Sequence, residues 1–411
     1  MSLAGVRARF PALRRREGQP VPVYLDSACM SLVPRDVLDA MAEYYRDYPG
    51  CAGRSLHRFA EQVSHRFEAA RDGFAKFLGA PDRDGVIFVR NATEAINVVG
   101  QGIDWKRGDR VLVTDQEHNS NLVLWQRLVR ERGIELTTLK LPDDGSFDMD
   151  AFEHELARGF RLVSVFHTSN LDGRSLPVAE IVERTHARHA EVLLDGCQAA
   201  PHAPVDLRRL GADYYAVSAH KMLGPTGTGV LCGRMEALTA LRPLLLGGET
   251  VEWSTLTDHA LRPPPHRFEA GLQNYAGVLG AHAGIQFLER VGREEIAVHD
   301  RALNRRVTRA LADEPRLRIL GPAQADVRPS IFAFAVRGVD PHDGALFLDA
   351  GHTVFVRSGM HCVHSWYQTH GLTGNLRASF YLYDTPKDAD RLIAGVQALL
   401  AQMPDAPGVA G

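Results

Sequence analysis

From residue 86 onward short apolar runs alternate with amphipathic stretches, and that alternation predicts the fold. The runs at 86–89, 110–114, 135–139, 161–166, 191–194, 214–217 and 229–232 are rich in Val, Ile, Leu, Phe and Tyr and are flanked by Gly, charged or polar residues. Runs of that length and composition read as strands, most of them buried on both faces. The stretches 93–100, 122–131, 149–158 and 178–189 have helical apolar spacing and separate many of them. Strand and helix in alternation require crossover connections, and crossovers build a mainly parallel sheet. The expected class is therefore α/β, with a mainly parallel seven-stranded sheet in a large domain.

The flanking regions follow other patterns. A short strand is expected at 21–25, ending in Asp26-Ser27-Ala28, and helices at 37–48 and 61–78, the second with Val63, Phe67, Ala70, Phe74 and Phe77 on one face. Past Gly247 the pattern is irregular, and Pro263-Pro264-Pro265 marks a turn or an extended arm. Helical spacing returns at 275–291 and 294–312, strands at 331–336 and 354–356, and a closing helix at 388–403. The division this predicts is an N-terminal arm 1–20 packing with the small domain, a large domain 21–284, a small α+β domain 285–403 and a frayed tail 404–411.

Composition narrows the function classes. With 411 residues, 45% of them hydrophobic and 24% charged, the chain has the balance of an ordinary globular protein. A net charge of -3 supplies no basic field for nucleic acid or an anionic membrane surface, so a small molecule or another protein is the expected partner. The five cysteines are scattered without a CxxC pair, which argues against a disulfide framework or a zinc knuckle and for a reducing compartment. The Arg-rich start lacks an apolar signal core, and no run approaches the ~18 apolar residues of a membrane span. The expected location is the cytoplasm.

In open α/β sheets ligands bind beyond the carboxyl ends of the strands. Five polar clusters stand there: Asn91-Ala92-Thr93, Glu117-His118-Asn119, His167-Thr168-Ser169-Asn170, Asp195-Gly196-Cys197-Gln198 and Ser218-Ala219-His220-Lys221. A lysine after a buried strand is ordinarily a solvated surface residue. Lys221, preceded by Ser218 and His220 and followed by the glycine-rich 224–229, is better placed as an imine-forming amine with phosphate donors close by. It precedes those glycines, so a GK[ST] nucleotide loop is excluded. Asp195 reads equally as a helix N-cap or as a carboxylate holding a pyridinium proton, and one helix and one strand of spacing bring it to a strand end beside Lys221.

The motifs YLDSA (24–28), RNATEAIN (90–97), EHNSN (117–121), SNLDG (169–173), LLDGCQ (193–198), SAHKMLGPTGTGVL (218–231), RFEAG (267–271), VRSGMHC (356–362) and LRASFYLYDT (376–385) resemble those of the pyridoxal-phosphate cysteine desulfurases, in the family's order over nearly the whole chain. The likeness is to the SufS-like, group II branch of the class V aminotransferase fold. It implies the cofactor pyridoxal 5'-phosphate, a homodimer, L-cysteine as substrate and a sulfur-acceptor protein as partner. It also implies roles: Lys221 as the Schiff-base lysine, Asp195 at the pyridinium nitrogen, Gln198 at the phenolic oxygen and His118 stacked on the ring and moving protons. Thr93, Ser218 and His220 would bind the phosphate, Asn170 and Arg377 the substrate carboxylate, with Arg357 beside them. A buried Cys is usually a small hydrophobe. Cys362, set among Gly359, Arg357, His361 and His364, resembles the family's sulfur-accepting thiol, and that environment favours thiolate.

The chain also departs from the family pattern. Leu272 and Ala92 stand where hydroxyl residues are usual, which removes two expected phosphate contacts, and Cys29 and Met30 replace small residues at the substrate end. These departures keep a carbon-sulfur lyase, a selenocysteine lyase or an amino-acid epimerase open as alternatives, with a non-catalytic sulfur-relay scaffold further off. No metal site is expected.

Overall fold

The computed structural model describes residues 3–14 and 20–402. Its strands are β1 (Val23–Leu25), β2 (Val86–Val89), β3 (Arg110–Thr114), β4 (Glu135–Leu139), β5 (Leu162–Phe166), β6 (Glu191–Asp195), β7 (Tyr214–Ser218), β8 (Gly229–Gly233), β9 (Val251–Ser254), β10 (His259–Leu261), β11 (Leu317–Ile319), β12 (Ile331–Val336), β13 (Val354–Gly359) and β14 (Asn375–Ser379). They form a seven-stranded sheet ordered β2-β8-β7-β6-β5-β3-β4, a five-stranded sheet ordered β1-β13-β14-β12-β11, and the β9-β10 hairpin.

In the large sheet β7, β6, β5, β3 and β4 pair in parallel. The strand β8 is antiparallel to both of its neighbours, so β2 again runs in the parallel sense. The carboxyl ends of β2, β3, β5, β6 and β7 therefore lie along one edge, and the five polar clusters follow them. Alternate residues of each strand go to opposite cores, as the two-residue strand period requires. Phe88, Leu112, Val163, Leu194 and Tyr215 pack on one face with Phe67 and Phe74. Ile87, Val111, Leu162, Leu193 and Tyr214 pack on the other with Ile96 and Trp125. Strands buried on both faces read as continuous apolar runs, which is why they stand out in the sequence. The edge strand β4 instead exposes Glu135 and Thr138, polar positions that blunt an open edge.

The five-stranded sheet covers a separate core of Leu303, Val307, Phe332, Phe334, Leu392 and Val396. Two of the expected boundaries need correction. The strand β1, assigned above to a large domain 21–284, pairs in parallel with β13 through Val23↔Val354 and Leu25↔Val356 and so belongs to the smaller sheet. The helix Tyr275–Val291 runs through the expected boundary at 284/285 and packs on the helices Arg35–Asp47 and Arg58–Leu78. It ends at Gly292 (φ 95°), where the chain turns into the helix Arg293–Leu311. The arm, expected to pack with the small domain, touches both lobes. Arg7 Nη1 donates to Asp388 Oδ2 at 2.8 Å in the helix Pro386–Gln402, whereas Phe10 lies edge-on to Phe287 and Tyr383 and Arg9 pairs with Asp36. The tail expected to fray, 404–411, lies outside the described residues. Among those residues no helix is long and apolar enough to cross a membrane.

Candidate active site

The loop bearing Lys221 is braced from two sides. After β7, Ala219–Lys221 makes one 3₁₀ turn, and the chain returns as β8 with Ser218 opposite Gly229. The Ala219 N–H donates to Thr228 O at 2.9 Å and the Gly224 N–H to Ala219 O at 2.9 Å, which closes the loop. Gly229 is required by close packing, because a Cβ there would come within 2.7 Å of Asn91 Cα and Val217 O. From the N-terminal segment, the Ser31 N–H donates to His220 O at 2.8 Å, and Ser31 Oγ accepts the Leu223 N–H at 2.8 Å.

Lys221 lines a cavity of about 270 Å³ between the sheet edge and the smaller lobe. All eleven residues singled out in the sequence line it. Thr93, His118, Asn170, Asp195, Gln198, Ser218, His220 and Lys221 come from the five strand-end clusters, and Arg357, Cys362 and Arg377 from the smaller lobe.

On the sheet side, Asn91 Oδ1 caps the helix Ala92–Gly102 by accepting the Glu94 N–H at 3.0 Å. The Ala92 N–H donates to Ser218 Oγ at 2.9 Å, and Thr93 Oγ1 lies 2.7 Å from Ser120 Oγ. The first turn of this helix, with its partial positive charge and adjoining hydroxyls, is suited to an anion. Ala92 thus takes part through its backbone. Leu272 does not line the cavity; it is 66% exposed, beside a second cavity bordered by Arg90, Glu94 and Leu244. Asp195 Oδ1 accepts the Cys197 N–H at 3.0 Å. Burial, and then the Asp195 charge, push the Cys197 thiol up to about 12, which makes it a packing residue. Gln198 Nε2 donates to Ala28 O at 2.7 Å, while its Oε1 is buried without a protein partner. His118 Nδ1 accepts the Ser120 N–H at 3.1 Å, so the neutral ring carries its proton on Nε2. Burial, reinforced by the Lys221 charge, holds this ring down at about 4, and the same two causes lower His220 to about 4.

On the smaller-lobe side, Arg357 and Arg377 are register partners across β13 and β14. Arg377, 2% exposed, donates from Nη1 to Asn170 O at 2.7 Å, and its buried Nε has no partner. Asp26, which sequence reasoning missed, sits between the two guanidinium groups, with Oδ1 3.5 Å from Arg377 Nη2 and Oδ2 3.9 Å from Arg357 Nη1. Those distances are too long for good hydrogen bonds. Burial therefore outweighs both arginines and raises the Asp26 carboxyl above its ordinary range. Two cations sharing one distant carboxylate leave donor capacity for a ligand carboxylate. Cys29 is also in the cavity, its Sγ accepting from Arg357 Nη1 at 2.8 Å. Asp26 carries no local signal, since its arginine partners lie more than three hundred residues along the chain; Cys29 stands out in the sequence as a departure at the substrate end, and the fold adds its contact with Arg357.

The Cys362 loop is pinned across the lobes. The Asn119 N–H donates to Cys362 O at 2.7 Å and Asn170 Nδ2 to His361 O at 2.7 Å. His361 (φ 48°) and Cys362 (φ 61°) both occupy the left-handed region, which non-glycine residues rarely enter. One expectation is corrected here. His361 is tied through Nε2 to Asn375 Oδ1 at 3.0 Å, and burial, then Arg377, push its ring down to about 2. It is neutral and supplies no positive charge to the neighbouring thiol.

The family model described as aminotransferase class-V matches residues 23–392, across both lobes and every residue of the cavity. The chain belongs to the class-V aminotransferase family. This class-V member is 39% identical over 401 residues to a Streptomyces coelicolor protein named "Probable cysteine desulfurase", covering 95% of this chain and 96% of that one. It is 36% identical over 405 residues to a Klebsiella pneumoniae protein named "Cysteine desulfurase", covering 97% and 98%. The apo structure of the cysteine desulfurase from Thermococcus onnurineus NA1 superposes with a TM-score of 0.92 at 34% identity, covering 97% of this chain and 98% of that one.

The residues of this class-V site fit pyridoxal phosphate. The first turn of the helix Ala92–Gly102 with Thr93, Ser218 and His220 would accommodate a phosphate, Asp195 offers a carboxylate, and Gln198 Oε1 is a buried polar atom still lacking a partner. Lys221 supplies the amine.

Proposed function

We propose that this class-V protein is a cysteine desulfurase that converts L-cysteine to L-alanine and takes the sulfur on Cys362 as a persulfide. One observation carries the reading: the amine of Lys221 and the thiol of Cys362, delivered by different lobes, line the same 270 Å³ cavity. The names of the relatives point the same way, and nothing in the cavity favours a lyase, an epimerase or a scaffold over it.

When bound, pyridoxal phosphate supplies an aldehyde for amines and a ring that accepts electrons from the substrate carbon. Asp195 would hold a proton at the ring nitrogen, while Thr93, Ser218, His220 and the helix N-terminus would hold the phosphate. Arg377, Arg357 and Asn170 bind the substrate carboxylate and so fix which way the substrate sulfur points. Lys221 and the Nε2 proton of His118 are the groups placed to move protons at the substrate carbon. Cys362 Sγ attacks the substrate sulfur; the carbon-sulfur bond breaks, and the carbon that keeps the electron pair is protonated to become the methyl of alanine.

The active form is a homodimer, supported by the exposed leucines Leu244, Leu245, Leu246 and Leu272. A sulfur-acceptor protein discharges Cys362. The five cysteines are free thiols, which fits a reducing cytoplasm. Incubation with L-cysteine, with alanine and protein persulfide both measured, tests the reading. Cys362→Ala abolishes persulfide and lowers alanine formation by about 10²-fold or more, and undiminished alanine from that variant would remove Cys362 from the reaction.

A further inference from the structure

Three cysteines line the active cavity, and each has a different environment. Cys197 is buried and inert, as described above, and Cys362 is the thiol assigned to take sulfur. Cys29 is half-buried, and the mechanism leaves it without work.

Its position follows from the strand pairing. The strands β1 and β13 run parallel, Leu25 opposite Val356, so the chain leaves both at the same end. Past β1 a turn closed by the Cys29 N–H to Asp26 O (3.0 Å) brings Cys29 to the cavity wall. Past Val356, Arg357 reaches across to place Nη1 2.8 Å from Cys29 Sγ, and the same chain then enters the loop that carries Cys362. A guanidinium N–H aimed at sulfur favours the thiolate, the form of a thiol that attacks in thiol exchange. Beside it, Arg377 is almost fully buried and keeps an unpartnered Nε.

We propose that Cys29 is a second sulfur station, accepting the outer sulfur of the Cys362 persulfide inside the cavity. This rests on the desulfurase reading above. The Cys29 thiolate attacks the outer sulfur of Cys362–S–SH; a sulfur-sulfur bond forms at Cys29 as the one at Cys362 breaks. Cys362 leaves as a thiolate, and the proton lost by Cys29 is regained there. One thiol and one persulfide become one persulfide and one thiol, so no oxidant or reductant is consumed. Cys362 is thereby free for a second substrate while the first sulfur stays on Cys29.

The relay makes a stoichiometric prediction for the cofactor-loaded enzyme given L-cysteine with neither acceptor nor reductant. The wild type forms about two alanines per subunit in its burst and Cys29→Ser about one. Capping of thiols and persulfides with an alkylating agent, digestion and mass spectrometry then find the added sulfur on both the Cys29 and Cys362 peptides of the wild type, on Cys362 alone in Cys29→Ser, and nowhere in Cys362→Ala. A wild-type burst of one alanine with sulfur only on Cys362 overturns the relay and leaves the desulfurase reading intact. Sulfur on Cys29 in Cys362→Ala makes Cys29 the first acceptor and overturns the proposed order. Absence of alanine and of added sulfur from every peptide overturns the desulfurase reading itself.

Discussion

Glu117, one residue before His118, ties the stability of the site to pH. Its side chain is 1% exposed. It accepts hydrogen bonds from Thr114 Oγ1 at 2.7 Å, Asn121 Nδ2 at 2.8 Å and the Phe166 N–H at 3.2 Å. Those bonds favour the carboxylate, yet burial outweighs them and, helped by the Asp195 charge, raises the group to about 8 from 4.5. Below pH 4.5 Glu117 is protonated in both folded and unfolded chains and the stabilisation is fully present. As pH rises from 4.5 towards 8 only the unfolded chain releases its proton, so stability falls by about 1.4 kcal/mol per unit. Between pH 5 and 7 that amounts to about 2–3 kcal/mol. Glu117→Gln cannot titrate and lacks this slope. It also places an amide donor opposite Asn121 Nδ2, a penalty that does not change with pH. The lowered histidines contribute the opposite slope to both proteins and cancel in the difference. Urea unfolding of both proteins at pH 5 and pH 7 at constant ionic strength measures it, and the variant should gain about 2–3 kcal/mol on the wild type across that interval. A difference between the two proteins that is the same at both pH values would refute the assignment of a buried, protonated Glu117.

Two further outcomes follow from the same geometry. Glu269, in the RFEAG motif, makes a bidentate pair with Arg71 (2.8 and 2.9 Å) and accepts the Phe88 N–H, and Arg71 is 0% exposed. Glu269→Ala removes the buried carboxylate of that guanidinium and leaves it only the half-exposed Glu68 and Val86 O, so it should destabilise the fold by about 3 kcal/mol in urea unfolding, with Arg71→Met added to it recovering part of the loss. Arg377→Gln removes the buried cation expected to hold the substrate carboxylate, and steady-state kinetics should show KM for L-cysteine rising about 30-fold or more while the cofactor's absorbance is retained.

The large sheet is legible in the sequence because its strands are buried on both faces and bounded by polar or glycine residues. The runs at 86–89, 110–114 and 135–139 coincide with β2, β3 and β4, and the others differ by one residue at an end. The edge carrying the site is legible for the same reason, since parallel strands put their carboxyl ends together and five polar clusters follow them. What is missing from that reading is non-local. A three-residue strand such as β1 has the same pattern whichever sheet it joins, and its partner β13 lies at the far end of the chain. Asp26 reads as a strand terminus, and only the fold places it between Arg357 and Arg377. The histidine before Cys362 looks like a charge donor in sequence; its burial against Asn375 makes it neutral.

The contacts joining the lobes at the cavity are made by the residues that shape it. Arg377 donates to Asn170 O, Asn170 Nδ2 to His361 O, and the Asn119 N–H to Cys362 O. Asn170 therefore receives Arg377 at its carbonyl and holds the Cys362 loop with its side chain. Such an arrangement couples the thiol to the arginine: Asn170 is the one residue between Arg377 and the backbone next to Cys362. Lys221 has no part in that chain, being fixed by β7, β8 and Ser31 on the sheet side. The amine is held by the large lobe, while the thiol is held by contacts that run through Asn170 to Arg377. The left-handed backbone of His361 and Cys362 is held in place by the same contacts, so losing them should release the loop that carries the thiol.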